Sequence, residues 1–372
     1  MAFIEQLETL DTRQSAALRR FEELLTDSVP LENLARRAAL ETRRHFGRTM
    51  RLFAPLYVSN ECVNVCRYCG FSRDNAILRV TLSVEQVEAE ARFLVAQGFR
   101  SLLIVAGEHP KFVAPNYLVE CVKRLRQLAP SVSLEIGPLD TAEYRPIVSA
   151  GADGLIVFQE TYDPELYATL HPAGPKKDFA WRLACPERAY AAGFRRLGLG
   201  ALLGLGEWRR EALALAAHVE YLLKHCWKAQ VTVSFPRLRP AAGEFQPLTR
   251  LNERDLTRLI CALRVAFPQI GLVLSTRERP QFRDGIAPLG ITLMSAGAHT
   301  EPGGYTGAGR AQLHVTQRGQ PLPAIPAGDE NATPQFIIGD SRPTAEVVSR
   351  LRAIGLDPVW KDWEYALAGA PA

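Results

Sequence analysis

LFAPLYVS (Leu52–Ser59) opens the region that decides the fold: a short apolar run, then a helical pattern over Val84–Gln97. In that pattern Val84, Val87, Ala91, Leu94 and Val95 share one face. Ser83 and Gln86 supply a capping-box pair at its start, and Gly98 is placed to end it. The pairing then recurs. SLLIVAG (Ser101–Gly107) leads to a helix around Tyr117–Leu128, SLEIG (Ser133–Gly137) to one near Ala142–Ser149, and GLIVFQET (Gly154–Thr161) to helical pieces through Ala192. RLGLGALLG (Arg196–Gly204) precedes a helix near Arg210–His225, and VTVSFP (Val231–Pro236) precedes one near Glu253–Phe267. Six apolar strands alternating with helices predict a parallel sheet buried on both sides. Repeated right-handed crossovers curl such a sheet into a full or three-quarter barrel. LVLST (Leu272–Thr276) and ITLMSAG (Ile291–Gly297) supply two further strand-like runs. The fold class read from this pattern is α/β, a (β/α) barrel.

Outward from the barrel, residues 1–50 read as a basic, amphipathic helical extension, with Leu31, Leu34, Ala38 and Thr42 on the packed side. Barrel strands fill 51–305. Residues 306–334, rich in Gly, Pro, Gln and Ala, read as a long loop or insertion. The remainder, 335–372, carries a helix near Thr344–Ile354 and the aromatic segment Val359–Trp363. A chain of 372 residues, 47% hydrophobic and 23% charged, can bury a large core and is not a disordered protein. Its net charge of +4 is too mild to argue for nucleic acid. No run approaches the roughly 18 apolar residues of a membrane span, and Met1–Leu10 lacks a basic signal-peptide region. Seven cysteines without an export signal indicate reduced thiols and a cytoplasmic location.

In parallel α/β folds the reactive loops follow the carboxyl ends of the strands. Directly after the first strand comes Cys62-Val-Asn-Val-Cys66-Arg-Tyr-Cys69, a CxxxCxxC spacing. Three thiolates this close can hold an iron–sulfur cluster, and with only three one iron keeps an open position. A zinc site completed by a distant His or Cys is the competing reading. Cys121, Cys185, Cys226 and Cys261 fall at helical positions without paired spacing and read as buried, inert thiols. His109 and His171 read as structural residues or as supports behind the site.

The spacing, with Tyr68 between its last two cysteines, resembles the radical S-adenosylmethionine superfamily. Longer segments resemble one branch of it, the 2-iminoacetate synthase family of thiamine thiazole biosynthesis. These are LYVSNECVNVCRYCGFS (Leu56–Ser72), LLIVAGEHP (Leu102–Pro110), FQETYDPELYATLHPAGPKKDFAWRL (Phe158–Leu183), GLGALLGL (Gly198–Leu205), LSTRE (Leu274–Glu278), MSAGAHTEPGGY (Met294–Tyr305) and PVWKDW (Pro358–Trp363). The resemblance implies that Cys62, Cys66 and Cys69 ligate a [4Fe–4S] cluster whose open iron chelates S-adenosylmethionine. It implies that Gly107 and Glu108 receive the methionine amino group, that Glu160 and Arg182 flank the cofactor with Tyr68 nearby, and that Arg182 meets its carboxylate. Arg277 and Ser295 are implied to hold the carboxylate and amine of an amino-acid substrate, a pairing suited to a guanidinium and a hydroxyl. The competing role for Arg277 is an ion pair with Glu278 or Glu301. Gly303 and Gly304 allow either close approach to substrate or a tight turn.

The function implied is a carbon–carbon lyase acting on L-tyrosine to give 2-iminoacetate and 4-cresol. An electron from flavodoxin or ferredoxin is implied, as is hand-over of the labile product to thiazole synthase. No cysteine follows Cys261, whereas the hydrogenase-maturation tyrosine lyase carries a second, carboxy-terminal cysteine cluster, and this favours the thiamine branch. The alternatives are a lyase for another aromatic amino acid such as tryptophan, and a non-catalytic iron–sulfur electron carrier. No partner among nucleic acids or membranes is expected.

Overall fold

The computed structural model describes residues 3–10, 14–323 and 330–360. Three helices come first, α1 (Phe3–Glu8), α2 (Ala16–Leu25) and α3 (Leu31–Phe46). Strand β1 (Thr49–Ser59) and the short β2 (Ile77–Arg79) are followed by α4 (Val84–Ala96), β3 (Ser101–Ala106), α5 (Pro115–Arg126), β4 (Ser131–Glu135), α6 (Thr141–Ser149) and β5 (Gly154–Glu160). Then come α7 (Pro164–Leu170), α8 (Phe179–Leu183), α9 (Cys185–Ala192), β6 (Arg196–Ala201), α10 (Trp208–His225), β7 (Gln230–Ser234) and α11 (Glu253–Ala266). The remainder comprises β8 (Gly271–Leu274), α12 (Pro280–Ile286), β9 (Leu293–Ser295), β10 (His314–Gln317), β11 (Gln320–Pro321), α13 (Thr344–Ala353) and β12 (Asp357–Val359).

Strands β1, β3, β4, β5, β6, β7, β8 and β9 are parallel neighbours in that order. Strand β9 pairs back onto β1, Arg51 opposite Leu293 and Phe53 opposite Ser295, so the barrel is fully closed. Closure leaves these strands without a free edge. The helical extension behaves as its pattern predicts: Leu34 and Ala38 are wholly buried, and α2 and α3 pack on α11. Ser83 and Gln86 form the capping box of α4 in both directions.

The expectation of strands apolar on both faces needs correction. In β1 every second residue, Met50, Leu52, Ala54 and Leu56, is fully buried under the helices. The intervening Arg51, Phe53, Pro55 and Tyr57 line an internal cavity. Glycines keep that interior open to neighbouring side chains. A Cβ at Gly198 would sit 2.6 Å from Ile156 Cγ1, and one at Gly200 would collide with the Phe158 ring.

Three boundaries also differ from the sequence reading. The strand expected at Ser133–Gly137 spans Ser131–Glu135. Part of the 306–334 segment is ordered as a hairpin, β10 with β11, whose β10 pairs antiparallel with β2 (Val315 opposite Leu78); residues 324–329 lie outside the described residues. Beyond helix α13, β12 pairs parallel with the start of β1, Thr49 opposite Asp357. Of the aromatic segment Val359–Trp363, only Val359 and Trp360 fall within the described residues.

Candidate active site

The cysteine loop sits at the carboxyl end of β1 and is tied down both by a residue just beyond it and by a segment about a hundred positions later. Arg79, only 1% exposed, donates to the carbonyls of Asn60 (2.6 Å), Phe71 (3.1 Å) and Ser72 (2.8 Å), drawing the loop's two ends together. The 170–176 segment clasps its middle: Val65 N–H donates to Ala173 O (2.9 Å) and Arg67 N–H to Leu170 O (3.1 Å). Gly174, at φ +91, is required there, because a Cβ would collide with Asn64. Asn64 in turn accepts from Lys176 N–H (2.8 Å) and donates to the Glu108 carboxylate (2.7 Å). Glu108 thus stands beside the cysteine loop, and Gly107 must lack a side chain because a Cβ would strike the Glu61 carbonyl. Both residues implied for the methionine amino group therefore border the cysteines.

Cys62, Cys66 and Cys69 are free thiols. Burial pushes all three up, and the Lys176 ammonium acts against that push. Among the described residues no three His, Cys, Asp or Glu side chains close around a point that could hold a single metal ion. A cubane makes no such demand, since each thiolate meets a different iron. The donor set therefore fits an iron–sulfur cluster better than the competing zinc site. Tyr68, buried between the cysteines, hydrogen-bonds His171 Nε2 (2.8 Å), and the Lys176 ammonium lies 5.6 Å from its ring centre. His171 is lowered to about 3 by burial, with Lys176 adding to the effect, so it is neutral and structural.

Glu160 ends β5 at a register shift between Phe158 and Glu160, with its own φ at +73. A side-chain-bearing residue at positive φ is uncommon and is held there by its surroundings. Its carboxylate meets Lys176 Nζ at 2.6 Å and Arg182 at 3.7 Å. Burial would raise its pKa, but Lys176 and Arg182 together hold it below the ordinary range. Arg182 is buried and anchors its Nε on Phe158 O (2.7 Å), so it is not a surface ion pair.

The cavity inside the barrel encloses about 1210 Å³ with its mouth included. Arg277 and Ser295 both line it. The competing ion pairs for Arg277 are absent among the described residues: Glu278 is held by Arg237 (2.9 Å) and Glu301 by His299 (2.9 Å). The Arg277 guanidinium instead stacks on Phe336, 3.4 Å from the ring centre. Ser295 Oγ accepts from Thr276 N–H (3.0 Å) and keeps its own proton to donate. Behind it, the buried Arg283–Asp340 pair fixes the strand ends, with Arg283 also donating to the Ser295 carbonyl. Gly303 and Gly304 make a tight turn: a Cβ at Gly303 would collide with Ala308 O, and one at Gly304 would lie 2.6 Å from His299 Cβ.

Four residues around this site escape a linear reading: Asn64 and Arg79, which shape the cysteine loop, Lys176, which pairs with Glu160, and Glu135, which lines the cavity. Asn64 could have been singled out, being polar inside the cysteine motif. The other three carry no local signal.

A cysteine loop over a closed parallel barrel, with an internal cavity below it, defines a barrel enzyme of the radical S-adenosylmethionine class. Comparison with known proteins agrees. Residues 56–218 match the Radical SAM superfamily and 234–357 the Biotin and Thiamin Synthesis associated domain. The 2-iminoacetate synthase of Escherichia coli (strain K12) is 41% identical over 341 residues, covering 91% of this chain and 85% of that protein. A crystal structure of HydG, a maturase of the [FeFe]-hydrogenase, superposes with a TM-score of 0.82 at 29% identity, covering 98% of this chain and 81% of that one. Methylornithine synthase (PylB), at 22% identity and TM-score 0.70 over 98% of this chain and 99% of that one, shares the fold. The chain belongs to the 2-iminoacetate synthase family, and its cofactors are a [4Fe–4S] cluster and S-adenosylmethionine. Among the described residues no helix is long and apolar enough to cross a membrane.

Proposed function

We propose that this chain cleaves the Cα–Cβ bond of L-tyrosine to 2-iminoacetate and 4-cresol for thiamine thiazole formation. The observation that carries this reading is the 41% identity to a curated 2-iminoacetate synthase across 91% of the chain. When bound, the cluster and S-adenosylmethionine supply hydrogen-atom abstraction by an adenosyl radical. In this reading Cys62, Cys66 and Cys69 would hold the cluster and leave it one open position for the methionine end of S-adenosylmethionine. Glu108, kept in place by Asn64, and the Gly107 backbone receive the amino group. Glu160 and Arg182 flank the cofactor from β5 and α8, and Tyr68 wedges the cysteine loop against His171.

Arg277 and Ser295 take the substrate's carboxylate and amine at the mouth of the cavity, through a guanidinium that makes no ion pair among the described residues and a hydroxyl with a proton to spare. Phe53, Phe158, Phe235 and Phe336 give the aromatic ring an apolar wall. The closed barrel shields the reacting groups from water. The electron comes from a flavodoxin or ferredoxin, and the hydrolysable imine passes to thiazole synthase, all in the cytoplasm.

The test is anaerobic reconstitution followed by dithionite reduction with tyrosine. Wild-type protein is expected to release 5′-deoxyadenosine, 4-cresol and glyoxylate, and Cys66→Ala to lose cluster iron and all three products. Deoxyadenosine without cresol removes tyrosine as the substrate.

A further inference from the structure

Two carboxylates line the cavity, Glu278 and Glu135. Glu278 is taken up by Arg237. Glu135 is the last residue of β4, on the inward side with Ser133, and among the described residues nothing donates a hydrogen bond to it. The charged groups around it come from separate elements: Arg277 after β8, Glu160 at the end of β5, Arg182 on α8 and Lys176 before α8. The phenol of Tyr57 on β1 also senses it. Lys176 and Arg182 are already committed to Glu160. What remains is one carboxylate and one guanidinium, Glu135 and Arg277, lining the cavity from strands on opposite sides of the barrel, with neither in an ion pair among the described residues. A half-buried cation and a half-buried anion left without partners carry a desolvation cost. A bound zwitterion relieves both at once: its carboxylate satisfies Arg277, and its ammonium, one carbon away, satisfies Glu135.

We propose that Glu135 receives the ammonium of the amino-acid substrate and takes one proton from it, so that the substrate is held as the neutral amine. The transfer balances: ammonium and carboxylate become amine and carboxylic acid, with no other reactant. Its use follows from the chemistry of hydrogen-atom removal. Taken from an ammonium, a hydrogen atom would leave a nitrogen radical cation with no lone pair to share the spin, close to the Arg277 charge. A neutral amine keeps its lone pair. Burial pushes the Glu135 carboxyl up to about 7, against the pull of Arg277, which equips it to hold a proton near neutral pH. This inference rests on the tyrosine-lyase reading and adds a base to it.

The test uses reconstituted holoprotein with S-adenosylmethionine and no reductant, so that binding is read without turnover. Tyrosine is compared with 3-(4-hydroxyphenyl)propionate, which keeps the carboxylate and phenol but lacks the amine. Wild-type protein is expected to prefer tyrosine by about tenfold to a hundredfold, the range of a charge-assisted hydrogen bond. Glu135→Gln is expected to lose that preference while binding the propionate at least as tightly, since an anion beside Arg277 has gone. Under reducing conditions the variant is expected to make cresol roughly a hundred- to ten-thousandfold more slowly and without the wild-type rise in rate through pH 7. Its iron content and its adenosylmethionine-dependent spectrum should be unchanged. A variant that keeps the preference for tyrosine, or keeps the pH limb, overturns the inference alone. Wild-type protein that binds no tyrosine overturns the functional reading and the inference with it.

Discussion

Along β4, Val132 and Leu134 point at the helices and are wholly buried, while Ser133 and Glu135 point into the cavity. The same division runs through β7, with Val231 and Val233 outside and Thr232 and Ser234 inside, and through β1, where the outer row is Met50, Leu52, Ala54 and Leu56. In many barrels of this kind the interior is filled by layers of branched apolar side chains. Here the inner row mixes apolar side chains such as Phe53, Leu103, Val105, Ile156 and Phe158 with Arg51, Arg196, Glu135 and several hydroxyls around open space, and Arg277 reaches in from just beyond β8. The outer row therefore supplies most of the burial energy, about 1.5–3 kcal/mol per large side chain, and the inner row is free to do chemistry. Because the side-chain period of a strand is two, a register slip of one residue would exchange the two jobs.

The division can be attacked from either face. Leu134→Ala, on the outer row, is expected to cost about 2–5 kcal/mol in chemical denaturation and to leave turnover per folded molecule unchanged. A loss of turnover without a loss of stability would show that the outer row is not merely structural. Arg277→Gln, on the inner row, is expected to raise the tyrosine KM roughly tenfold to a hundredfold, the equivalent of 1.5–3 kcal/mol. Its denaturation midpoint should change little, because burial already lowers the Arg277 pKa and, among the described residues, stacking on Phe336 but no ion pair is lost with it. A destabilised Arg277→Gln would mean that the inner row also holds the fold. Ser83→Ala touches neither face and removes only the first turn's cap on α4. It should cost about 1 kcal/mol with activity intact, giving the baseline against which the other two are read.

Legibility followed the range of the interactions. The strand–helix alternation, the capping box and the cysteine loop were readable because each depends on residues close in sequence. Apolar runs did not reveal which residues face inward: GLIVFQET and RLGLGALLG look uniformly buried, yet Ile156, Phe158 and Gly198 line a cavity. The hairpin at His314–Pro321 was unreadable because its strand partner, β2, lies more than two hundred residues earlier. Arg79 and Lys176 were missed because their partners, though nearer in sequence, belong to other segments of the chain and no helical or strand pattern links them. Arg79 looks like any surface arginine until the loop carbonyls of Asn60, Phe71 and Ser72 close around it. Lys176 gains meaning only from Glu160, sixteen positions away and on another element.

By itself the sequence determined the barrel, its family and the order of cysteines on one loop, since periodicity and short spacings are local properties of a chain. Tertiary structure alone decided that Arg277 makes no ion pair among the described residues, that Glu160 is already taken by Lys176, and that Glu135 is left facing open space. Charge pairing is settled by distances across a cavity, and those exist only once β1 has met β9 and the barrel is closed.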